Sequence, residues 1–208
     1  AALPYLEEFH QQTFVIQISG DLLEIHDSRV IEDLALLQQV GIRIVIVHGA
    51  EAQIHKLLAA KGQDYQTEDG ILVAKEAHLP LIEQAISSAN WLLLNKLRSC
   101  GRQLQPFSGH FLFAEKKTFS GNFGFHFTGS VCGLDLETLH QAISDSRLVI
   151  LPPFSLGEKG RLWILDPNQV AFEVATRLRA KKLIVLDTHP LPQFGETDSL
   201  GMTTDNVL

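Results

Sequence analysis

Ile42-Arg-Ile-Val-Ile-Val47 runs straight into His48-Gly49-Ala50 and then into a helix-patterned stretch over residues 51–61. No other segment restricts the fold of this chain as strongly. A short run of β-branched residues, too apolar for a one-sided strand, reads as a strand buried on both faces. A strand that turns directly into a helix needs that helix as a crossover to a parallel neighbour. The same order comes earlier. Thr13-Phe-Val-Ile-Gln-Ile18 predicts a strand and Ser19-Gly20-Asp21 breaks it. Val30, Ile31, Leu34 and Leu37 then space a helix over residues 28–40. Asp27 or Ser28 can cap its start, and Gly41 suits the position past its end.

The remaining segments extend the pattern. Residues 64–74 suggest a hairpin around Gly70, and residues 79–98 predict a long helix. The stretch over 107–133 is rich in Gly, Ser and Phe, and predicts antiparallel strands at 111–114 and 123–128. A helix over 135–143 capped by Asp135, strands at 148–151 and 161–165, a helix over 168–179 and a strand at 183–186 follow. The sum is about eight strands and five to seven helices in an α/β fold, with a mostly parallel sheet covered on both faces. An amphipathic helix over residues 3–12 precedes the first strand. It reads either as packing on its own domain or as an oligomer arm.

Composition narrows the function classes. The net charge is −7 over 208 residues, with no dense Lys/Arg cluster, so no nucleic-acid partner is expected. No apolar run approaches the ~20 residues of a membrane span, and no signal peptide is visible. Two cysteines, Cys100 and Cys132, suit a reducing cytoplasm. No His, Cys or carboxylate grouping has metal-site spacing, so no metal is expected.

In parallel α/β folds, ligands bind beyond the carboxyl ends of the strands. Two turns qualify, Ser19-Gly20 and His48-Gly49-Ala50. A small-residue turn that opens a helix presents backbone N–H groups to an anion, so the pair suits phosphate or carboxylate. It equally suits two tight structural turns. His48 is either a donor to a ligand or a histidine bonded locally at a strand end.

Several segments carry a resemblance. Pro4-Tyr5-Leu6, Thr13-Phe-Val-Ile-Gln-Ile-Ser-Gly20, Leu34-Ala-Leu-Leu37 and Gly41-Ile-Arg-Ile-Val-Ile-Val-His-Gly-Ala-Glu-Ala-Gln-Ile54 resemble the amino-acid kinase fold. The likeness runs on through Ser108-Gly-His-Phe111, His126-Phe-Thr-Gly129, Asp166-Pro-Asn-Gln-Val-Ala171 and Ala180-Lys-Lys-Leu-Ile184. It is nearest to the kinase-like domain of bacterial N-acetylglutamate synthases and extends to acetylglutamate kinases. The fold it implies is a three-layer αβα sandwich with a mostly parallel sheet, of the carbamate kinase-like type. Residues 1–12 would be an arm helix. Residues 13–208 would be the kinase-like domain, cut short at its C-terminal end, because Thr203-Thr-Asp-Asn-Val-Leu208 resembles a capped helix start.

Against the kinases, this chain departs at the residues of the chemistry. Gln17 stands where the resemblance implies a lysine, and Ser19-Gly20 where it implies Gly-Gly. Leu72 replaces an arginine that grips the substrate carboxylate, and Asn168 an aspartate that organises lysines. Leu186-Asp187-Thr188-His189-Pro190 replaces a nucleotide turn. Phosphoryl transfer is mostly positioning and charge stabilisation, so losing these groups together removes the reaction. No catalytic residue is therefore expected. Gln17, Ser19, Gly20, His48, Gly49, Ala50 and Asn168 remain as vestigial ligand-binding positions.

In the synthases, the resemblance implies, this domain regulates and assembles, and L-arginine is its feedback effector. A separate acetyltransferase domain moves acetyl from acetyl-CoA to glutamate, the first step of arginine biosynthesis. This chain shows no pyrophosphate turn for acetyl-CoA, so no cofactor is expected in it. The arm would join subunits into a dimer or hexamer in the cytoplasm. Tyr5 and Phe9 are candidate arginine contacts, or simply arm packing. Two alternatives stand beside this reading. One is a divergent acetylglutamate kinase using ATP, and the other is a stand-alone pseudokinase scaffold.

Overall fold

The computed structural model describes residues 8–25, 29–99, 107–108, 110–121, 123–124, 126–146, 148–157 and 161–188. Its centre is a five-stranded parallel sheet in the order β11-β1-β2-β8-β5. These strands are β1 (Thr13–Ile18), β2 (Arg43–His48), β5 (Phe107–Ser108), β8 (Leu148–Leu151) and β11 (Lys182–Leu186).

Strand periodicity sorts the core into two halves. Side chains alternate between the faces of a strand. Ile16, Ile18, Ile44, Ile46 and Ile150 all point to one side of the sheet. Val15, Val45, Val47 and Val149 point to the other. On the isoleucine face lie α2 (Arg29–Gln39), α3 (Glu51–Ala60) and α4 (Leu79–Ser99). They bury Ile31 and Leu34, Ile54 and Leu58, and Ile82, Ile86 and Leu93. On the valine face lie α5 (Leu136–Ser146) and α6 (Pro167–Leu178), which bury Leu139, Ile143, Val170 and Val174. The result is the expected three-layer sandwich.

Smaller elements surround this frame. A five-residue helix, α1 (Gly20–Glu24), follows β1 directly. A hairpin joins β3 (Gln66–Glu68) to β4 (Ile71–Val73). Its turn is Asp69-Gly70, both at positive φ (51° and 77°), the conformation that lets a two-residue turn follow the strand twist. β6 (Leu112–Lys116) pairs antiparallel with β7 (Gly129–Leu134), and β9 (Phe154–Leu156) with β10 (Leu162–Ile164).

One expectation fails here. The second antiparallel strand lies at Gly129–Leu134, not at 123–128. Phe119, Phe123 and His126 instead gather into a ring cluster with centroids 5.0–5.6 Å apart. Phe123 and His126 turn onto Phe119 and do not pleat along a strand. Apart from one bridging residue, Thr128, the described residues of that stretch form no ladder. The sequence reads Ser19-Gly20-Asp21 only as a break where α1 forms, and it predicts neither β5 nor β9.

The root of the N-terminal segment is tied to the domain. Residues 8 and 9 are helical, and the chain turns at Gln11 with φ 60°. The Gln11 N–H donates to Gly41 O (2.9 Å), and the Arg43 N–H donates to Gln12 O (2.9 Å). Gly41 lies at φ 93° against the His10 ring, where a Cβ has neither the conformation nor the room. Phe9 packs edge-on against Phe14 (5.4 Å), with Lys182 over its ring (5.2 Å). Residues 1–7 of the expected arm, including Tyr5, lie outside the described residues.

Ile46 sits at the centre of β2 and is fully buried. Ile46→Ala should cost about 2–5 kcal/mol in a urea unfolding titration, as the cavity sits in the most constrained strand. A loss under about 1 kcal/mol would show that the two layers close over the gap.

Candidate functional site

The carboxyl ends of β1 and β2 lie side by side, in the register Ile18↔His48. Each strand turns there into a helix, so the two sequence-predicted turns do meet. The hydrogen bonds show how their N–H groups are used. The Ser19 N–H donates to Leu186 O (2.9 Å), and the Gly49 N–H to Ile18 O (2.7 Å). Ser19 Oγ caps α1 by accepting from the Leu22 N–H (3.4 Å). The Gly20 N–H donates to Glu51 Oε2 (3.4 Å), and the same carboxylate accepts from its own backbone N–H. An acidic side chain thus sits at the N-terminus of α3, where a helix favours negative charge.

Gly20 is required by packing. A Cβ there would lie 3.0 Å from Glu51 N and 2.7 Å from Gln53 Oε1. Gln53 Nε2 donates to Gly20 O (2.9 Å) and to Glu24 Oε1 (3.2 Å), while Lys56 pairs with Glu24. These contacts clamp α1 onto α3. The close approach expected of Gly20 is made to another helix of the same chain. Ala50 is buried, the position before α3, and makes no side-chain cap.

Beside the turns opens a small cleft of about 70 Å³. Glu51 and Ile54 of α3, Ile71 and Leu72 of the hairpin, Ile86 of α4 and Asp166 ahead of α6 line it, among others. Thr128 anchors the hairpin wall: its Oγ1 donates to Leu72 O (2.7 Å) and accepts from the Ala74 N–H (2.9 Å). Glu68 Oε1 holds the hairpin from outside, accepting from the Ser120 and Gly121 N–H groups (3.1 Å each). No lysine or arginine lines the cleft among the described residues. Burial, and then the charges of Asp166 and Asp187, push the Glu51 carboxyl above the usual carboxylate range, against the pull of its two amide bonds.

The remaining sequence-predicted residues lie around this centre. Gln17 is buried on the valine face, and its Oε1 has no hydrogen-bond partner among the described residues. His48 is fully buried. Its Nδ1 donates to Gly49 O (3.0 Å), and its Nε2 has no partner among the described residues. Burial lowers its pKa to about 4. The structure thus gives His48 the local bond of a strand-end histidine. Asn168 is exposed, and its backbone N–H donates to Asp166 Oδ1 (3.0 Å). The acidic groups of the cleft, Glu51 and Asp166, were not singled out from the sequence. Asp166-Pro167 carried a signal for one of them, since a capping aspartate followed by proline marks a helix start. Among the described residues, no group of three or more His, Cys, Asp or Glu is placed to hold a metal, and no helix is long and apolar enough to cross a membrane.

These shifts set a pH dependence. His48 titrates near 6.5 when unfolded and near 4 when folded, so the unfolded chain binds more protons between these values. Stability should fall as pH drops through that window, by on the order of 3 kcal/mol in full. His48→Gln should flatten that loss in denaturant titrations at successive pH values. Glu51 acts in the opposite sense. Its raised folded pKa adds stability as pH falls through that value towards 4.5, so Glu51→Gln should steepen the acid loss. An unchanged profile in His48→Gln would contradict the assignment.

Comparison with known proteins places this geometry. The Amino acid kinase family matches residues 12–189. An amino-acid acetyltransferase of Ralstonia nicotianae is 30% identical over 198 residues, covering 91% of this chain and 44% of that protein. An acetylglutamate kinase of Thermoanaerobacter pseudethanolicus is 28% identical, covering 89% of this chain and 63% of that protein. The structure superposes on N-acetylglutamate synthase from Neisseria gonorrhoeae, complexed with coenzyme A and N-acetyl-glutamate, with TM-score 0.81. The two share 30% identity over 89% of this chain and 43% of that one. The same synthase complexed with coenzyme A and L-arginine gives TM-score 0.80. This chain therefore spans less than half the length of the acetyltransferases it matches. It belongs to the amino acid kinase family, as a kinase-like domain homologous to that of N-acetylglutamate synthases.

Proposed function

We propose that this chain is the regulatory and assembly domain of an N-acetylglutamate synthase and carries no kinase activity of its own. In this reading residues 1–12 form an arm and residues 13–208 the kinase-like domain. L-arginine is the effector, and subunits assemble as dimers or a hexamer in the cytoplasm. Acetyl-CoA and glutamate react in a separate acetyltransferase domain, and this chain uses no cofactor. Tyr5, on the arm, is the aromatic to test for arginine contact. Phe9 is already engaged by Phe14.

The observation that carries the proposal is the charge of the cleft. A kinase of this family must hold a carboxylate and a polyphosphate there. This cleft offers Leu72 and two carboxylates instead, and the Ser19, Gly20 and Gly49 amides are bonded within the protein. Like charges ~6 Å apart repel by about 3 kcal/mol at an effective dielectric of about 20. A missing transition-state contact costs a further 10²–10³ in rate, roughly. Gln17 supplies a neutral amide where the reaction calls for a cation.

Mixing the chain with Mg-ATP and N-acetylglutamate should give no phosphoryl transfer, and Gln17→Lys should not restore it, because Leu72, Glu51 and Asp166 remain. Calorimetric titration with L-arginine should show saturable binding, with light scattering reporting an oligomer. Measurable phosphoryl transfer would instead favour a divergent acetylglutamate kinase.

A further inference from the structure

The Glu51 carboxylate lies where the two strand-end turns would receive a ligand's anionic group. It is held by the Gly20 N–H (3.4 Å) and by its own backbone N–H at the start of the ten-residue helix α3. Gly49 approaches the same carboxylate so closely that a Cβ on residue 49 would overlap it. The other turn amides with bonds are committed inside the protein, Ser19 to Leu186 O and Gly49 to Ile18 O.

From this geometry we infer that Glu51 is an autoinhibitory side chain, an internal anion seated in the turn that keeps phosphate-type ligands out. The inference rests on reading this cleft as a former phosphoryl site, and it is independent of the regulatory role. Three features set Glu51 apart from an ordinary first-turn glutamate. Its carboxylate bridges two strand–helix turns, bonding an amide 31 residues away in sequence. It is largely buried, although burial and the nearby Asp166 and Asp187 charges work against its ionisation. The α1–α3 clamp of Gln53 and Glu24 fixes the amide it bonds. A side chain held against that resistance displaces any external anion by proximity alone. The external anion must pay for association, and the tethered carboxylate does not.

The probe is inorganic pyrophosphate, read by calorimetry and by the ¹⁵N–¹H shift of Gly20. The native chain should show no saturable binding at millimolar concentration. Glu51→Ala should bind at least roughly tenfold more tightly, with the Gly20 amide shifted on titration. Asp166→Asn removes one charge from the same cleft, keeps a helix cap and leaves the Glu51 carboxylate seated, so it should gain less than Glu51→Ala. Glu51→Gln keeps the shape and loses the charge, and should fall between the native chain and Glu51→Ala. It serves if Glu51→Ala does not fold. Equal behaviour of the native chain and a folded Glu51→Ala, absence of binding by both included, an equal gain in Asp166→Asn, or a folded Glu51→Gln indistinguishable from native would each overturn the inference. Kinase turnover, assayed separately, bears on the proposed function alone. Pyrophosphate binding without turnover supports both.

Discussion

The hydrogen bond from the Gly49 N–H to Ile18 O, 2.7 Å long, extends the β1–β2 ladder one step beyond its last paired residues. Everything at the carboxyl edge depends on it. Parallel pairing with both faces buried fixes register tightly, since a one-residue slip would exchange the isoleucine and valine faces. That register brings two turns together that are 29 residues apart in sequence, and brings α1 against α3. The clamp, the cleft and the seated carboxylate are consequences of one strand pairing.

The sheet, the crossovers and the turns of the amino acid kinase family are kept. At the strand ends Glu51, Asp166 and Asp187 bring acidic groups together. A fold hosts a site but does not determine it. Here the Ser19, Gly20 and Gly49 amides are bonded within the protein.

Legibility in the sequence followed the strength of local signals. Four of the five strands of the central sheet are readable because β-branched runs such as Ile42–Val47 are short and bounded by turn residues, whereas the two-residue β5 leaves no such signal. The turns at Gly20 and Gly49 were readable for the same reason. The seated carboxylate was not. Glu51 in sequence is an unremarkable first-turn acid, and its role arises only from Gly20 lying opposite. Asp166 is legible only as a helix cap, while the nearby Asn168, to which the family resemblance draws attention, is exposed. The strand expected at 123–128 fails because Phe123 and His126 turn onto Phe119 in a ring cluster instead of pairing along a ladder. Local pattern carries element type well, and pairings between distant residues poorly.

The root of the N-terminal segment has a mechanical meaning. Gln11 and Gln12 bond to the chain on either side of Ile42 at the entry to β2, and the Lys181 N–H bonds to Thr13 O at the entry to β11. Glu8 and Phe9 reach the lysines next to that second entry. Residues 8–12 are therefore set by the starts of the two strands that flank β1, so a displacement of this root is carried into the sheet and not taken up by a loop.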